Sequence, residues 1–429
     1  MSDDETANGG STGPSDEEDM CLFEAFLRPE YVAAILRLKR NEPEETEFRP
    51  SGDFNEVASR RLGQILAQNT RLTTLTLWCN FNVTGLCAGI RTSTSIQRFD
   101  ISGNDLSGVA EMNSLASFLA DNPNFESITL FDCDIGPGSL EILMDALSGR
   151  RTRTLRVLDL GANVFGDANL DSLVRALMPE KSHELTRLTV RYCGICLQGC
   201  ASLATLLRGN SSRGLQLLNL EGNAIDDACA RVLAESLVDN SRLRDLNLSE
   251  NRGNITAQGW KAFVGLIYDS KSIECISASN HTLCSLGVLD ALDAQRLFDA
   301  LGDDDANNLH AALRINHNEN KIFVAKQKVV WSHAQGRLNV GDSSIVAGAI
   351  PQMLSCFSTF SNETDNGFIQ WHHPPLCETR IAAMGLSAVF RILQARPDLC
   401  HAESKPRRSV RRRRCSGGRD TGVARPRIV

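Results

Sequence analysis

The chain lacks the short sequences that carry common chemistries. It holds no phosphate loop, no dinucleotide fingerprint and no nucleophile elbow, so no catalytic role is expected of it. No apolar run approaches the roughly 18 residues of a membrane span. The first 19 residues have neither a basic stretch nor an apolar core, which argues against a secretory signal and for a cytoplasmic protein. Aromatics make up only 6% of the residues. The fourteen cysteines do not fall at disulfide-framework spacings, and thiols are expected in a reducing compartment.

Charge is unevenly spread. Residues 1–19 carry seven acidic side chains and no basic one, and residues 405–429 carry ten Lys/Arg against one Asp. Setting those −7 and +9 ends apart from the total of −7 leaves the body at −9. An acidic body repels phosphates, so nucleic-acid binding by it is disfavoured and a partner with a basic surface is favoured. The run KPRRSVRRRR reads as a nuclear import signal or as a solvated tail.

What is abundant is repetition. An apolar residue, two others, an apolar, one other, an apolar, two others and then Asn or Cys recur along the chain. The pattern runs Leu72, Leu75, Leu77, Asn80, then Ile96, Phe99, Ile101, Asn104, then Phe125, Ile128, Leu130, Cys133. It continues as Leu155, Leu158, Leu160, Asn163, then Leu185, Leu188, Val190, Cys193, then Leu215, Leu218, Leu220, Asn223. The seventh match is Leu243, Leu246, Leu248, Asn251, and a decayed eighth is read at Ile273, Ile276 and Ala278. Steps between first anchors are 24, 29, 30, 30, 30 and 28 residues. The second half of each repeat has helical spacing, as in Met112, Leu115, Ala116 and Leu119. Each repeat is therefore predicted as strand, turn and helix. Parallel strands line the concave side and the wider helices the convex side. Asn80, Asn104, Cys133, Asn163, Cys193, Asn223 and Asn251 are the expected structural ladder, because the chain bends inward there and strands backbone polar groups.

This is the leucine-rich-repeat signature. The alternation of Asn and Cys turns, with Cys200 seven residues after Cys193, resembles the ribonuclease-inhibitor subfamily. The resemblance spans residues 70–284. It implies an α/β horseshoe solenoid with helical caps that binds proteins on its concave face and rim, without implying that the ligand is a ribonuclease. The expected division is 1–19 an acidic tail, 20–70 an N-terminal helical cap, 71–284 the array, 285–400 a C-terminal helical cap or subdomain, and 401–429 a basic tail. CLFEAFLRPEYVAAILRLKR and DFNEVASRRLGQILAQN read as cap helices with NEPEETEFRPSG as a loop between them. Candidate C-terminal helices run near 288–301, 318–335, 343–360 and 378–396. His372, His373 and Cys377 in WHHPPLC read as a Pro-rich loop, and no metal or cofactor is expected.

Strand residues between the anchors point away from the helices. One outward row is Thr76, Asp100, Thr129, Asp159, Thr189, Asn219, Asn247 and Ser277. The next is Trp78, Ser102, Phe131, Gly161, Arg191, Glu221, Ser249 and Ser279. Trp78, Phe131, Arg191 and the adjacent Tyr192 are of types enriched at binding hot spots, and Asp100, Asp159 and Glu221 supply negative field. These seven are the candidate partner-binding residues of a scaffold or inhibitor. A Ran-type GTPase activator, also built from such repeats, is the alternative. Deleting 405–429 is expected to leave the melting temperature unchanged and to shift a fluorescently tagged chain out of the nucleus. Identical distributions of the two forms, seen by microscopy, would remove the import reading.

Overall fold

Two or three consecutive residues are enough to make each strand here, because every strand is paired with its neighbours in the sheet. The computed structural model describes residues 15–78, 81–148, 154–177, 185–208, 214–251, 255–287 and 291–334. Eight strands form one sheet in chain order, all neighbours parallel. They are β1 (Glu47–Phe48), β2 (Thr74–Thr76), β3 (Arg98–Asp100), β4 (Ser127–Thr129), β5 (Val157–Asp159), β6 (Arg187–Thr189), β7 (Leu217–Asn219) and β8 (Asp245–Asn247). The anchors stand in register, Leu75 beside Phe99, Ile128, Leu158, Leu188, Leu218 and Leu246, and all are buried. The sheet stays open, as in a leucine-rich-repeat horseshoe.

Between strands run α4 (Val83–Ile90), α5 (Val109–Asp121), α6 (Pro137–Leu147), α7 (Gly166–Leu177), α8 (Leu197–Leu207), α9 (Asp227–Ser236) and α10 (Ala257–Ile267). Their apolar faces, Leu140, Leu143, Met144 and Leu147 in α6 for example, close over the sheet in one continuous core. The short first repeat keeps a short helix. Its backbone sits unusually near α3 (Glu56–Gln68): a Cβ on Gly63 would lie 2.5 Å from the Leu86 carbonyl oxygen, and one on Gly89 2.3 Å from that of Arg60.

The inward turns show how the buried polar groups are satisfied. The Asn163 amide donates to the carbonyls of Leu130 (2.7 Å) and Leu160 (2.9 Å), and its Oδ1 accepts from the N–H of Cys133 and Ile135, both at 3.0 Å. Asn223 repeats this with Val190, Leu220, Cys193 and Ile195. Asn104 and Asn251 bridge their neighbours in the same manner. The Cys133 and Cys193 thiols donate back to the carbonyls of Ile101 (3.4 Å) and Leu160 (3.3 Å). Burial pushes both thiols up to about 12. Asn80 lies outside the described residues. The residue before each ladder position is left-handed, at Gly103, Asp132, Ala162, Tyr192, Gly222 and Glu250. The Cys turns add a second left-handed residue, Asp134 or Gly194.

A second ladder, not foreseen from the sequence, holds the helix-to-strand turns. Buried Asn69, Asn122, Asn240 and Asn280 each accept backbone N–H groups just downstream, and their amides donate to carbonyls of the previous repeat, Leu38, Ile96, Leu207 and Leu237.

Four expectations need correction. NEPEETEFRPSG is not only a loop: β1 lies in it, because the Thr46 carbonyl accepts from the N–H of Thr73 (2.9 Å) and Thr74 (3.1 Å) while Phe48 is buried. The acidic tail does not extend to Asp19. Ser15 and Glu18 form a capping box that starts α1 (Asp16–Glu24), and Pro29 opens a separate α2 (Pro29–Lys39). Asp19 is buried between Arg61 (2.6 and 2.7 Å) and Lys39 (2.7 Å), whose hydrogen bonds and charge outweigh burial and lower its carboxyl. The eighth repeat is out of register. Residues 273–278 form a short helix, α11 (Ile273–Ala278), so Ser277 and Ser279 are not on the concave face. The strand place is taken by Leu283 to Leu286, with Ser285 bridging Asp245. Lastly, a helix unread in the sequence, α13 (Asp303–Asn316), stands between α12 (Ala291–Leu301) and α14 (Lys321–Ala334). The candidate helices at 343–360 and 378–396, WHHPPLC and the basic run lie outside the described residues.

The C-terminal helices pack on α10 and α11 through an unusual contact. Lys328 of α14 is buried, and its Nζ donates to the carbonyls of Ile267 (2.7 Å) and Asn280 (2.9 Å), 3.2 Å from Nδ1 of His281. Burial draws Lys328 down to about 7 and, with the Lys328 charge, His281 down to about 4.

Two predictions follow from these bonds. Asn163→Leu or Asn223→Leu strips four backbone groups of partners and should lower stability by about 1–3 kcal/mol, measured by denaturant titration; a variant as stable as the parent would contradict the role. For Lys328, the folded chain sheds the proton near 7 while the unfolded chain holds it to 10.5. The unfolded state then binds more protons, so stability should rise with pH above about 7. Thermal unfolding across roughly pH 6.5–8.5 should show that rise in the parent and a flatter profile in Lys328→Met; equal slopes would refute it.

Candidate protein-binding face

The strands end, but their ladder does not. Gly103 donates to Phe131, Asp132 to Gly161, Ala162 to Arg191, Tyr192 to Glu221 and Gly222 to Ser249, all through backbone N–H at 2.7–3.0 Å. The second outward row is therefore held in register beyond the strands. Trp78, Ser102, Phe131, Gly161, Arg191, Glu221 and Ser249 stand side by side, facing away from the helices.

Two groups form on it. In the first, Trp78 is 60% exposed and its Nε1 donates to Oδ2 of Asp100 at 2.8 Å. Oδ1 of Asp100 accepts from the N–H and Oγ of Ser102 at 3.0 and 2.6 Å. The Arg191 guanidinium carbon lies 4.5 Å from the centroid of the Phe131 ring, a cation–π contact that spans Gly161. Asp159 lies beneath it, its Oδ1 accepting from Gly161 N–H at 2.8 Å. Burial raises its carboxyl, Asp100 adds to the rise and Arg191 opposes it.

In the second group the Tyr192 hydroxyl reaches Glu221 (3.1 Å) and Glu250. Tyr192 stands at the left-handed position and projects along the rim, 39% exposed. Glu250, then the burial that accompanies it, and Glu221 all raise its hydroxyl. Asn247 Nδ2 donates to the other Glu221 oxygen at 3.0 Å.

The seven candidates thus divide as Trp78, Asp100, Phe131, Asp159 and Arg191 at one end, and Tyr192 with Glu221 at the other. Among the described residues, no flanking segment covers Trp78 or Tyr192. The first outward row is less free than its sequence suggests. Asp100, Asp159, Asn219 and Asn247 each fold back onto the N–H two residues ahead, at 2.8–3.0 Å. They are Asx turns that end the strands. An acid or amide in that row in each Asn-type repeat after the first was the available signal. Glu250 was missed because it lies outside both rows, and Gly161 because a missing side chain attracts no notice. Among the described residues, no group of three or more His, Cys, Asp or Glu is placed to hold a metal ion, and no helix is long and apolar enough to cross a membrane.

No protein-family model matches the chain. Curated relatives do. The ribonuclease inhibitor of Sus scrofa is 27% identical over 271 residues, covering 61% of this chain and 57% of the inhibitor. That of Mus musculus is 29% identical over 242 residues, 54% of this chain and 51% of the inhibitor. NACHT, LRR and PYD domains-containing protein 4C of Mus musculus is 31% identical over 148 residues, 34% of this chain and 14% of that protein. The chain spans about half the length of the ribonuclease inhibitors it matches. With an in-register parallel sheet, alternating Asn and Cys turns and these relatives, the chain belongs with the leucine-rich-repeat proteins of the ribonuclease-inhibitor-like type.

Proposed function

We propose that the chain is a protein-binding scaffold or inhibitor, and that its partner presents a basic surface to the concave face and the adjoining rim. The observation that carries this is the outward row itself: Trp78, Phe131 and Arg191 stand on a rigid sheet, outside the core, with Asp100, Asp159, Glu221 and Glu250 around them. Aromatic area left in water gains roughly 25 cal/mol per Å² when a partner covers it. The carboxylates steer a cationic surface toward it, and at ~0.1 M salt that steering fades beyond about 10 Å. The relatives named as ribonuclease inhibitors, by their names, inhibit another protein, which agrees with a binding role without fixing this chain's ligand.

The test uses the parent and a variant with Trp78, Phe131, Arg191 and Tyr192 all changed to Ala as baits, in lysate at low and high salt. A partner held by the parent at low salt should be released by high salt and lost by the variant. Melting temperatures of the two baits should nearly coincide, since none of the four side chains belongs to the core cluster. A partner retained equally by both baits would sink the proposal, and so would a large drop in the variant's melting temperature.

A further inference from the structure

Between Trp78 and Arg191 two places in the outward row carry residues too small to fill them, Gly161 and Ser102. At Gly161 the chain fills the gap with a cation of its own. A Cβ there would stand 2.7 Å from Cγ of Arg191 and 3.0 Å from Cδ2 of Phe131. The bare backbone is what lets Arg191 cross to the Phe131 ring. At Ser102 the hydroxyl turns away, onto Asp100, and the Trp78 indole leans in from the neighbouring strand to the same carboxylate. Here no cation arrives: among the described residues the cation–π contact is that of Arg191 with Phe131, and the Trp78 face stays open to solvent.

The Asp100 carboxylate is fixed rather than saturated. A carboxylate offers about four acceptor positions. The Ser102 N–H and Oγ occupy Oδ1, and the indole N–H takes one position of Oδ2. Among the described residues nothing fills the other position of Oδ2, beside the open indole. An exposed aromatic face with an oriented carboxylate at its edge suits a flat cation that stacks and donates at once. A lysine ammonium is a point charge without a plane to stack.

We infer that the exposed face of Trp78, with Asp100 at its edge, is a subsite for an arginine side chain of the bound protein. Its guanidinium lies on the indole and donates to Oδ2 of Asp100, much as Arg191 lies on Phe131 one gap further along. The inference rests on the concave-face reading above and narrows the chemistry of the partner there. Ser102 is partly exposed and outside the core, so Ser102→Leu crowds the Trp78 face while the packing beneath stays as it is.

The experiment titrates the full chain with a capped peptide of alternating arginine and glycine, and with its lysine counterpart. Fluorescence polarisation gives the affinities, and the Trp78 indole N–H resonance, assigned with Trp78→Phe, reports the place. The arginine peptide should move that resonance saturably and bind about fivefold or more tighter than the lysine peptide. Trp78→Ala, Asp100→Asn and Ser102→Leu should each erase that preference while keeping the parent's melting temperature. If the arginine peptide binds, leaves Trp78 unmoved and is weakened by Tyr192→Ala or Glu221→Gln instead, the subsite is overturned and the concave-face reading stands. If neither peptide binds at low salt, both are overturned. Equal affinity of the two peptides with the Trp78 resonance moving overturns the assignment to arginine.

Discussion

Each strand-to-helix turn of this solenoid bends toward the core and carries peptide groups inward with it, and one buried side chain per turn has to answer them. The Asn163 amide donates to three carbonyls and accepts two N–H groups, joining its own turn to the one before. Such bonds add only about 0.5–1.5 kcal/mol each over their hydrated state, but a buried group left alone costs about 1–3 kcal/mol. The ladder therefore matters chiefly through the penalty it averts. Because the side chain of one repeat satisfies the backbone of its neighbour, no turn can loosen alone. The second ladder at Asn69, Asn122, Asn240 and Asn280 ties the other end of each repeat in the same way. Nearest-neighbour coupling of this kind makes a stack of marginal units into one cooperative body.

Cysteine does half the work of asparagine, since a thiol donates weakly and accepts little. Cys133 and Cys193 each reach back to one carbonyl of the preceding repeat, and the backbone around them compensates with a left-handed residue on either side. The two turn chemistries also mark the outer face. After the first, repeats with Asn turns carry Asp100, Asp159, Asn219 or Asn247 in an Asx turn. Those with Cys turns carry Thr129 or Thr189 in the same place. Charge on the concave face is thus partly a by-product of how alternate turns are closed.

The array was legible because three anchors and a turn residue recur seven times. In the structure each strand from β2 to β8 is the middle anchor with one residue on either side. Where the reading failed, the signal was short or shared. β1 has two residues, too few to show alternation. Spacings of 0, 3 and 5 mark a strand here and 0, 3 and 4 a helix, so Ile273 and Ile276 fit both, and Ala278 was too weak an anchor to separate them. The true place was marked by Asn280, three residues before Leu283, as Asn69 precedes Leu72 and Asn240 precedes Leu243. That rule was invisible until the bonds were seen. On the site, exposure of Trp78 and Tyr192 followed from the period of a strand and the turn after it. The contact of Arg191 with Phe131 did not, because it depends on a gap two strands wide.

That gap belongs to a larger arrangement. Neighbouring strands are about 4.8 Å apart, and the backbone pairing through Gly103, Asp132 and Ala162 keeps that spacing along the outward row. Large side chains on every strand would collide at this distance. From Trp78 to Arg191 the row instead alternates large and small: Trp78, Ser102, Phe131, Gly161, Arg191. The small members after Trp78 fall in repeats with Asn turns, and the large ones, Phe131 and Arg191, in repeats with Cys turns. Arg191 crosses the hollow at Gly161 to the Phe131 ring, and Trp78 reaches Asp100 beside Ser102. From Ser102 to Arg191 the alternation of Asn and Cys turns is in this way also the alternation of the surface. A face with flat aromatic and guanidinium groups over carboxylates follows from the same alternation that keeps the core dry.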